Sequence, residues 1–306
     1  PIPGVRLRTR AFIKVQDGCD NRCTFCVTTV ARGPGRSRQE AEVLDDVHAA
    51  LRGGVQEVVL TGVHLGSWGQ DFNHSQDLRS LVRTILSRTS TPRLRLSSVE
   101  PWDLDETFFE LWEEECLARQ LHLPLQSGCG STLRKMARKI SPDSYARLVQ
   151  TARSAIPDLA VTTDIIVGFP GESDREFEES LTFVRDLDFA GGHVFTYSAR
   201  QGTAAAEMPN QVPHAVRKAR SARMRTVIDQ STRDYRSRYL GRTLDVLWES
   251  ATALGPHGWS VSGLTDNYLR VKAQAPQQLW NQITPVKLTA LTGRGLSGEI
   301  QTGGTP

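Results

Sequence analysis

The chain has 306 residues, of which 39% are hydrophobic and 23% are charged, and its net charge is +3. This composition is ordinary for a globular protein, and no apolar run approaches the roughly 20 residues that a membrane span needs, so we expect no membrane role. A chain of this length fits one barrel-sized domain and one small domain, because single cores stop growing near roughly 250 to 300 residues.

The start of the chain and the spacing of its cysteines bear on the cellular compartment in which the protein works. The sequence begins Pro1-Ile2-Pro3-Gly4, without an initiator methionine or a secretion signal, and we interpret this start as a cut or a processed end. Three of the five cysteines lie within eight positions, which is unlike an evenly spaced disulfide framework. We therefore expect a reducing, cytoplasmic setting.

Short β-branched runs alternate with amphipathic segments through the first two thirds of the chain. The predicted strands are Ala11–Gln16, Glu57–Thr61, Arg93–Val99, Leu121–Gln126, Val161–Gly168 and His193–Ser198. The predicted helices include one over Ser37–Leu51 with a Ser37/Glu40 capping box, one opening at Ser141-Pro142, and one over Ser173–Leu187. Six βα units predict an α/β fold, a partial (β/α)6 barrel of the TIM type.

The pattern changes after Gly202. Val212–Tyr239 is predicted as one long basic helix that links two domains. Nine basic residues crowd the region from this helix to just beyond its end: Arg217, Lys218, Arg220, Arg223, Arg225, Arg233, Arg236, Arg238 and Arg242. This surface fits a phosphate-bearing partner, or it is an ordinary solvated helix face. From about Gly241, short runs at Leu244–Trp248, Trp259–Ser262, Tyr268–Val271 and Val286–Leu291 predict a small all-β barrel or sandwich.

The strongest chemical signal is Cys19-Asp-Asn-Arg-Cys23-Thr-Phe-Cys26, directly after the first predicted strand. Three thiolates on so short a loop can bind three irons of a 4Fe-4S cluster and leave the fourth iron open to a ligand. Structural zinc is the competing interpretation, but His48 and His64 make no zinc-finger spacing with this triplet. Of the remaining cysteines, Cys116 ends a helical stripe and is predicted to be core, and Cys129 is predicted to lie in a loop.

Polar residues and glycines follow the next four predicted strands. They are Thr61 and Gly62, then Ser98 and Glu100, then Gln126, then Gly168. Each segment alone is equally well explained as an ordinary turn after a strand. In barrels of parallel strands, however, the carboxyl ends of the strands carry the chemistry, so these residues are candidates for lining one site beside the cysteines.

Together these segments resemble the methylthiotransferase family of radical S-adenosylmethionine enzymes over about residues 8–300. The phrases that carry the resemblance are Lys14-Val-Gln-Asp-Gly-Cys19, Ala31-Arg-Gly33 with Arg36-Ser-Arg38, Leu60-Thr-Gly-Val-His-Leu-Gly66, Leu96-Ser-Ser-Val-Glu-Pro101, His122-Leu-Pro-Leu-Gln-Ser-Gly128 and Thr163-Asp-Ile-Ile-Val-Gly-Phe-Pro-Gly-Glu172. The resemblance implies a radical S-adenosylmethionine core domain over residues 5–238 and a TRAM-like RNA-binding β-barrel over residues 241–303.

The resemblance also implies cofactors and site residues. Cys19, Cys23 and Cys26 would hold the 4Fe-4S cluster, Phe25 would pack near the adenine of S-adenosylmethionine, and Thr61 and Gly62 would meet its methionine amino group. The rest of the cofactor pocket would be lined by Ser98, Glu100, Gln126 and Gly168. Contacts with tRNA phosphate are assigned to Arg32, Arg36 and Arg38.

Within the family, the sequence is most similar to the tRNA enzyme that adds a methylthio group to C2 of N6-threonylcarbamoyladenosine beside the anticodon. Alternatives are an enzyme for isopentenyladenosine in tRNA, an enzyme for an aspartate of a ribosomal protein, and a non-catalytic RNA-binding protein with structural zinc. The expected partners are tRNA and an electron donor such as flavodoxin or ferredoxin, and we expect a monomer. Family members also carry a preceding domain with three further cysteines, so this chain is expected to cleave S-adenosylmethionine without completing thiolation.

Overall fold

The computed structural model describes residues 8–73, 75–253 and 258–301. Within these ranges the strands are β1 Arg10–Asp17, β2 Arg36–Ser37, β3 Glu57–Gly62, β4 Leu94–Leu96, β5 Gln120–His122, β6 Ala160–Val167, β7 Gly191–Thr196, β8 Thr243–Ala253, β9 Trp259–Thr265, β10 Arg270–Ala275, β11 Ile283–Thr292 and β12 Gly295–Ile300. The α-helices are α1 Thr28–Arg32, α2 Glu40–Arg52, α3 Leu78–Arg88, α4 Glu106–Phe109, α5 Gly130–Lys135, α6 Pro142–Ala155, α7 Asp174–Leu187 and α8 His214–Ser237. Short 3-10 turns lie at Leu65–Ser67, Pro101–Asp103, Glu110–Glu113 and Ala204–Ala206.

The six predicted βα strands form one curved parallel sheet. β3 pairs in parallel with β1 and β4, and β6 pairs in parallel with β5 and β7. The two groups are joined by parallel bridges between Leu94 and Leu117 and between Ser98 and His122. The sheet therefore runs β1-β3-β4-β5-β6-β7, and the predicted partial (β/α)6 barrel is confirmed.

Side chains alternate between the two faces of this sheet, as the pleat requires. On β1, Ile13 and Val15 are buried in the core beneath the helices, whereas Phe12 faces away from that core and is 57% exposed. The same core contains Leu81 and Ile85 of α3 and Phe177 of α7. The outer layer of the partial barrel is thus apolar, and the residues between the core positions are free to line its interior.

Two local predictions are wrong. Ser37 does not cap a helix: it lies in β2, where its hydroxyl accepts from the Gly69 amide at 2.8 Å, and α2 begins three residues later with Gln39 as its N-cap. The capping boxes at Ser141 and Ser173 are present as expected. Cys116 does not end a helical stripe. It lies in a turn before β5, half-buried rather than in the core, and its carbonyl accepts from the Leu94 amide at 2.8 Å.

The long basic helix is present as α8, but it is more than a linker. Met224 and Ile228 pack into the core of the α/β region. Much of the basic surface is neutralised within the chain, since Arg220 pairs with Glu172 at 2.8 Å and Arg223 pairs with Glu178 at 2.5 Å. A helix tied down in this way offers an RNA partner fewer free cations than the sequence predicts.

The remaining strands form a closed barrel in the order β10-β12-β11-β8-β9. The prediction of a small all-β unit is confirmed, but β12 was missed because Gly295, Gly298 and a serine interrupt its apolar alternation. The predicted domain limits, 5–238 and 241–303, stay predictions. Their ends at residues 5–7 and 302–303, like Pro1-Ile2-Pro3-Gly4, lie outside the described residues.

The β-barrel docks on the amino-terminal ends of the parallel strands through a buried charge cluster. Glu57 is fully buried and accepts from the Arg95 guanidinium at 2.8 Å. Arg93 and Arg95 in turn donate to barrel carbonyls, those of Leu264 at 3.0 Å and Asp266 at 2.9 Å. Arginines at the amino-terminal ends of the parallel strands thus donate hydrogen bonds to backbone carbonyls of the β-barrel.

Among the helices of the described residues, none combines the length and apolar character needed to cross a membrane.

Candidate functional site

The cysteine loop leaves β1 through a backbone turn that only glycine fits. Gly18 has φ +73°, and a Cβ on it would lie 1.9 Å from the Pro34 carbonyl oxygen. The side chain of the preceding Gln16 is buried and holds the turn in place: its Nε2 donates to the Gly18 carbonyl at 2.9 Å, and its Oε1 accepts from the His64 backbone amide at 2.8 Å. Cys19 therefore starts from a fixed position between the ends of β1 and β3.

Further bonds hold the rest of the loop. Thr24 donates through its amide to Met136 at 3.1 Å and through its hydroxyl to Lys135 at 2.8 Å. The Thr29 hydroxyl is within 3.1 Å of the carbonyls of Cys19 and Asn21. All three cysteines of the loop are free thiols, Cys19 and Cys23 half-buried and Cys26 exposed. The loop is thus pinned at both ends while its sulfurs stay available to a ligand.

A buried histidine, His64, affects the pKa of the Cys19 thiol. Burial by itself would raise the pKa of Cys19, but hydrogen bonds from His64 and the Asn21 amide outweigh it, and the pKa is lowered. His64 is held at 2.7 Å by Asp103. Burial opposes the charged imidazole, yet Asp103 and Cys19 raise the pKa of His64 to about 9. A charged imidazolium beside Cys19 favours its thiolate, which is the form that binds metal.

Arg138 was missed by the sequence analysis and lies at the centre of the site. Its buried guanidinium makes two bonds to Glu100, at 3.1 and 2.7 Å, and lies 3.8 Å from the Cys23 sulfur. It also stacks over the Trp102 ring at 4.4 Å. Burial raises the pKa of Cys23, and Arg138 opposes that rise. No spacing rule links Arg138 to the cysteine loop, because the fold alone brings them together.

The other predicted cofactor residues lie along the same edge of the sheet. Gly62 pairs with Gln16 and Thr61 with Lys14, so both adjoin the start of the cysteine loop. Ser98 bridges to His122 on the neighbouring strand, and Gln126, with φ 73°, bridges to Ile165.

Two candidates have surroundings that the sequence did not show. Gly168 is buried: a Cβ there would lie 2.2 Å from the Cγ of Arg217, so only its backbone can serve a ligand. Phe25 packs, partly buried, against a cluster of Met136, Phe169 and Tyr197 rather than standing free in the loop.

The three arginines assigned to RNA do not act as one group. Arg32 is exposed and lies 3.6 Å from Asp17, and Arg36 is the backbone neighbour of the same Asp17 in the antiparallel pairing of β1 with β2. Arg38 instead donates to Asp46 at 2.7 Å and to the Lys14 carbonyl at 3.0 Å. Arg32 and Arg36 therefore flank the cysteine loop, whereas the Arg38 guanidinium is occupied within the chain.

The residues present fit a 4Fe-4S cluster. The donor set is three free thiols on one loop, with His64 and Arg138 supplying positive charge beside Cys19 and Cys23. Among the described residues, no three His, Cys, Asp or Glu side chains converge on a single ion. In a cubane each thiolate binds a different iron, so that convergence is not required.

Glu176 braces the loop between β6 and α7 and gives a pH-dependent prediction. Burial would raise its pKa, but Lys135, Ser131 and the Ser173 amide lower the pKa from 4.5 to about 2. A depressed folded pKa gives stability that is fully present above 4.5 and is lost as the pH falls toward 2. The Glu176→Gln variant should be less stable than the parent at neutral pH, and the gap should shrink through that window.

Urea unfolding at neutral pH and at several pH values inside the window measures this gap. Glu179, exposed on the same helix, is the matched control, and Glu179→Gln should change stability little at any pH. A gap for Glu176→Gln that stays constant with pH would contradict the prediction.

Comparison with known protein families and solved structures identifies the superfamily of the chain. A profile of the Radical SAM superfamily matches residues 13–184, and the chain belongs to that superfamily. The predicted cofactors, a 4Fe-4S cluster and S-adenosylmethionine, are confirmed at the level of this superfamily. The radical S-adenosylmethionine methyltransferase TsrM from Kitasatospora setae, solved with cobalamin and a [4Fe-4S] cluster, has a similar fold, with a TM-score of 0.54 at 20% identity over 64% of this chain and 38% of that one.

The predicted resemblance to methylthiotransferases is also confirmed. The chain is 36% identical over 288 residues to the threonylcarbamoyladenosine tRNA methylthiotransferase MtaB of Bacillus subtilis, which covers 94% of this chain and 64% of that protein. It is 34% identical over 301 residues to the tRNA-2-methylthio-N(6)-dimethylallyladenosine synthase of Geobacillus thermodenitrificans, covering 98% and 57%. The chain thus spans about three fifths of the length of these relatives.

Proposed function

We propose that this chain is the radical-generating part of a cytoplasmic tRNA methylthiotransferase that acts at C2 of N6-threonylcarbamoyladenosine beside the anticodon. The observation that carries the proposal is the cysteine loop, fixed at the carboxyl edge of a partial barrel with His64 beside Cys19 and Arg138 beside Cys23. The two relatives act, by name, on two different modified adenosines in tRNA, and the choice between these is part of the proposal.

The proposal gives a role to each candidate residue at the carboxyl edge of the parallel strands. Cys19, Cys23 and Cys26 hold the cluster, and Thr61, Gly62, Ser98 and Gln126 line the place of S-adenosylmethionine, with the backbone of Gly168. Together, the bound cofactors would supply a carbon-centred radical able to remove hydrogen from an unactivated C–H bond. The His64 imidazolium stabilises the Cys19 thiolate, and the buried Arg138 holds Glu100 in one orientation while facing Cys23.

The RNA partner is proposed to span both units. Residues 5–238 form the catalytic domain and residues 241–303 the TRAM-like barrel, with Arg32 and Arg36 beside the cysteine loop as phosphate contacts. Single-stranded RNA is read on β-surfaces and by phosphate contacts, which suits an exposed barrel joined to a basic rim. A flavodoxin- or ferredoxin-type donor would provide the electron.

Hydrogen abstraction from the RNA tests this proposal without requiring sulfur transfer. Anaerobically reconstituted protein is given S-adenosylmethionine, reductant and an anticodon stem-loop in which C2 of the threonylcarbamoyladenosine carries deuterium. We expect deuterium in the 5′-deoxyadenosine product by mass spectrometry, and none when the label is at C8. If 5′-deoxyadenosine forms but carries deuterium from neither position, the adenosine is not the substrate.

Salt dependence separates RNA from a ribosomal-protein substrate. Removing one arginine–phosphate pair should reduce the slope of log affinity against log salt by about 1, so Arg32→Gln and Arg36→Gln should each flatten it by that amount. Arg83→Gln, an exposed arginine paired with Glu110 at 3.3 Å, is the control and should leave the slope unchanged. Fluorescence anisotropy of labelled RNA at several salt concentrations measures this slope. A slope near zero for the parent would favour a protein substrate.

A further inference from the structure

A cavity of about 720 Å³ lies inside the partial barrel, below the cofactor edge. Its upper wall includes Ser98, just after β4, and His122, the last residue of β5. Glu100 and Gln126 follow these two residues in the segments that leave the same strands. Its floor comes from the β-barrel through Asn267 and Tyr268. A cavity of this size holds a nucleoside-sized group, and its upper end opens toward the place proposed for S-adenosylmethionine.

The mouth of the cavity is aromatic. Phe12 on β1 is 57% exposed and Phe195 on β7 is 50% exposed, and both rings line the cavity. β1 and β7 are the first and last strands of the parallel sheet, so these rings lie on the two sides of its open seam. Exposed aromatic rings in such a position suit an unpaired base that enters from the side.

The interior of the cavity is polar and positively charged. Five arginines line it: Arg10, Arg95, Arg236, Arg270 and Arg294. Three of these have carboxylate partners, because Arg10 and Arg270 share Glu249, at 2.7 and 3.7 Å, and Arg95 is held by Glu57. The acidic residues of the lining are Asp164, which lies 3.3 Å from His122, and Asp229.

Arg236 differs from the paired arginines. It is half-buried in the last turn of α8, and among the described residues its guanidinium makes no hydrogen bond and no ion pair within 4 Å. Asp229, on the same helix and in the same lining, attracts it from a greater distance. Arg294 is unpaired in the same sense but is exposed on the tip between β11 and β12. A partly desolvated guanidinium on a rigid helix is a ready anchor for a carboxylate, since little side-chain entropy is lost on binding.

We propose that this cavity receives the N6 substituent of the target adenosine and that Arg236 binds a carboxylate on that substituent. The inference rests on the proposed function and deepens it, because it assigns the substrate class as an adenosine with an anionic N6 group. A threonylcarbamoyl group carries such a carboxylate, ionised at neutral pH, and a dimethylallyl group is an uncharged hydrocarbon.

The geometry of adenine is compatible with this placement. C2 and C6 are separated by a single ring atom, so C2 can face the cofactor edge while the N6 substituent extends into the cavity. A hydrocarbon substituent in the same place would displace water from arginines and hydroxyls without replacing their hydrogen bonds. Buried polar groups left unpaired in this way reject such an analogue strongly.

Binding of three stem-loop RNAs tests the inference. The RNAs carry threonylcarbamoyladenosine, dimethylallyladenosine or unmodified adenosine, and affinities are measured at one salt concentration for the parent and three variants. Arg236→Gln should weaken binding of the threonylcarbamoyl RNA by roughly 10- to 100-fold, the loss expected for one charged hydrogen-bonded contact, and leave the other two RNAs unchanged. Arg236→Lys should recover part of the loss.

Arg233, exposed on the same helix and outside the cavity, is the matched control. Arg233→Gln removes the same charge and should not discriminate among the RNAs, and thermal melting confirms that each variant is folded. Equal weakening of all three RNAs by Arg236→Gln would identify an RNA phosphate as the anion and overturn the inference, as would no weakening at all. If the parent binds none of the RNAs better than an unrelated hairpin, the tRNA proposal itself fails.

Discussion

Replacing Cys23 with alanine should abolish the iron-sulfur cluster and the cleavage of S-adenosylmethionine. Cys23 is half-buried in a pinned loop, with the Arg138 guanidinium 3.8 Å from its sulfur. A cubane that loses one of three protein thiolates is left with two irons lacking a protein ligand. We therefore expect a loss of activity to background, as for replacement of either of the other two cysteines of the loop.

Anaerobic reconstitution with iron and sulfide measures this effect through metal content, visible absorbance and 5′-deoxyadenosine formation. Cys116→Ala is the matched control: this thiol is also half-buried but lies in the link before β5, far along the chain from the loop, and the variant should keep its cluster. A parent protein that stays colourless and binds one zinc would contradict the proposal and favour the zinc-containing RNA-binding alternative.

Replacing Glu57 with glutamine should strongly destabilise the protein. The Glu57 side chain is fully buried and lies within 2.8 Å of Arg95 and 3.6 Å of Arg93, which are themselves buried. Removing the Glu57 carboxylate leaves two largely buried guanidiniums without their nearest countercharge. Breaking a buried ion pair in this way costs about 3–5 kcal/mol.

Chemical unfolding followed by circular dichroism measures the loss. Glu110→Gln is the matched control, because Glu110 also faces two arginines, Arg79 and Arg83, but its side chain is 51% exposed. Exposed ion pairs of this kind contribute little to the free energy of unfolding, at most about 1 kcal/mol. Equal losses for the two variants would show that burial of the Glu57 cluster is not what makes it important.

Much of the fold and part of the site can be predicted from the sequence. The strands of the α/β region are short β-branched runs bounded by turn residues, so sequence pattern locates them within a few positions. The cysteine loop is local, and its spacing is visible without a fold. Their spacing alone therefore groups Cys19, Cys23 and Cys26 as one candidate set of metal ligands.

What the sequence could not show depends on contacts between distant segments. Arg138 meets Glu100 and Cys23 only because α5 ends beneath the cysteine loop. The basic residues of α8 looked free, yet Arg220 is buried against Glu172. Ser37 had the spacing of a helix cap, but its hydroxyl is used by Gly69 and the helix starts later. In each case the local sequence pattern allows two roles for the residue, and a contact with a distant segment decides between them.

The docking of the β-barrel under the parallel strands has a thermodynamic consequence. Asn267 and Tyr268, which form the floor of the cavity, belong to the same barrel whose carbonyls are held by Arg93 and Arg95. A ligand that fills the cavity touches both units, so its binding energy also stabilises their association. Linkage is reciprocal: docking of the two units strengthens ligand binding by the same factor by which the ligand strengthens docking. A substitution that populates an undocked state should therefore weaken ligand binding even when it touches no ligand atom.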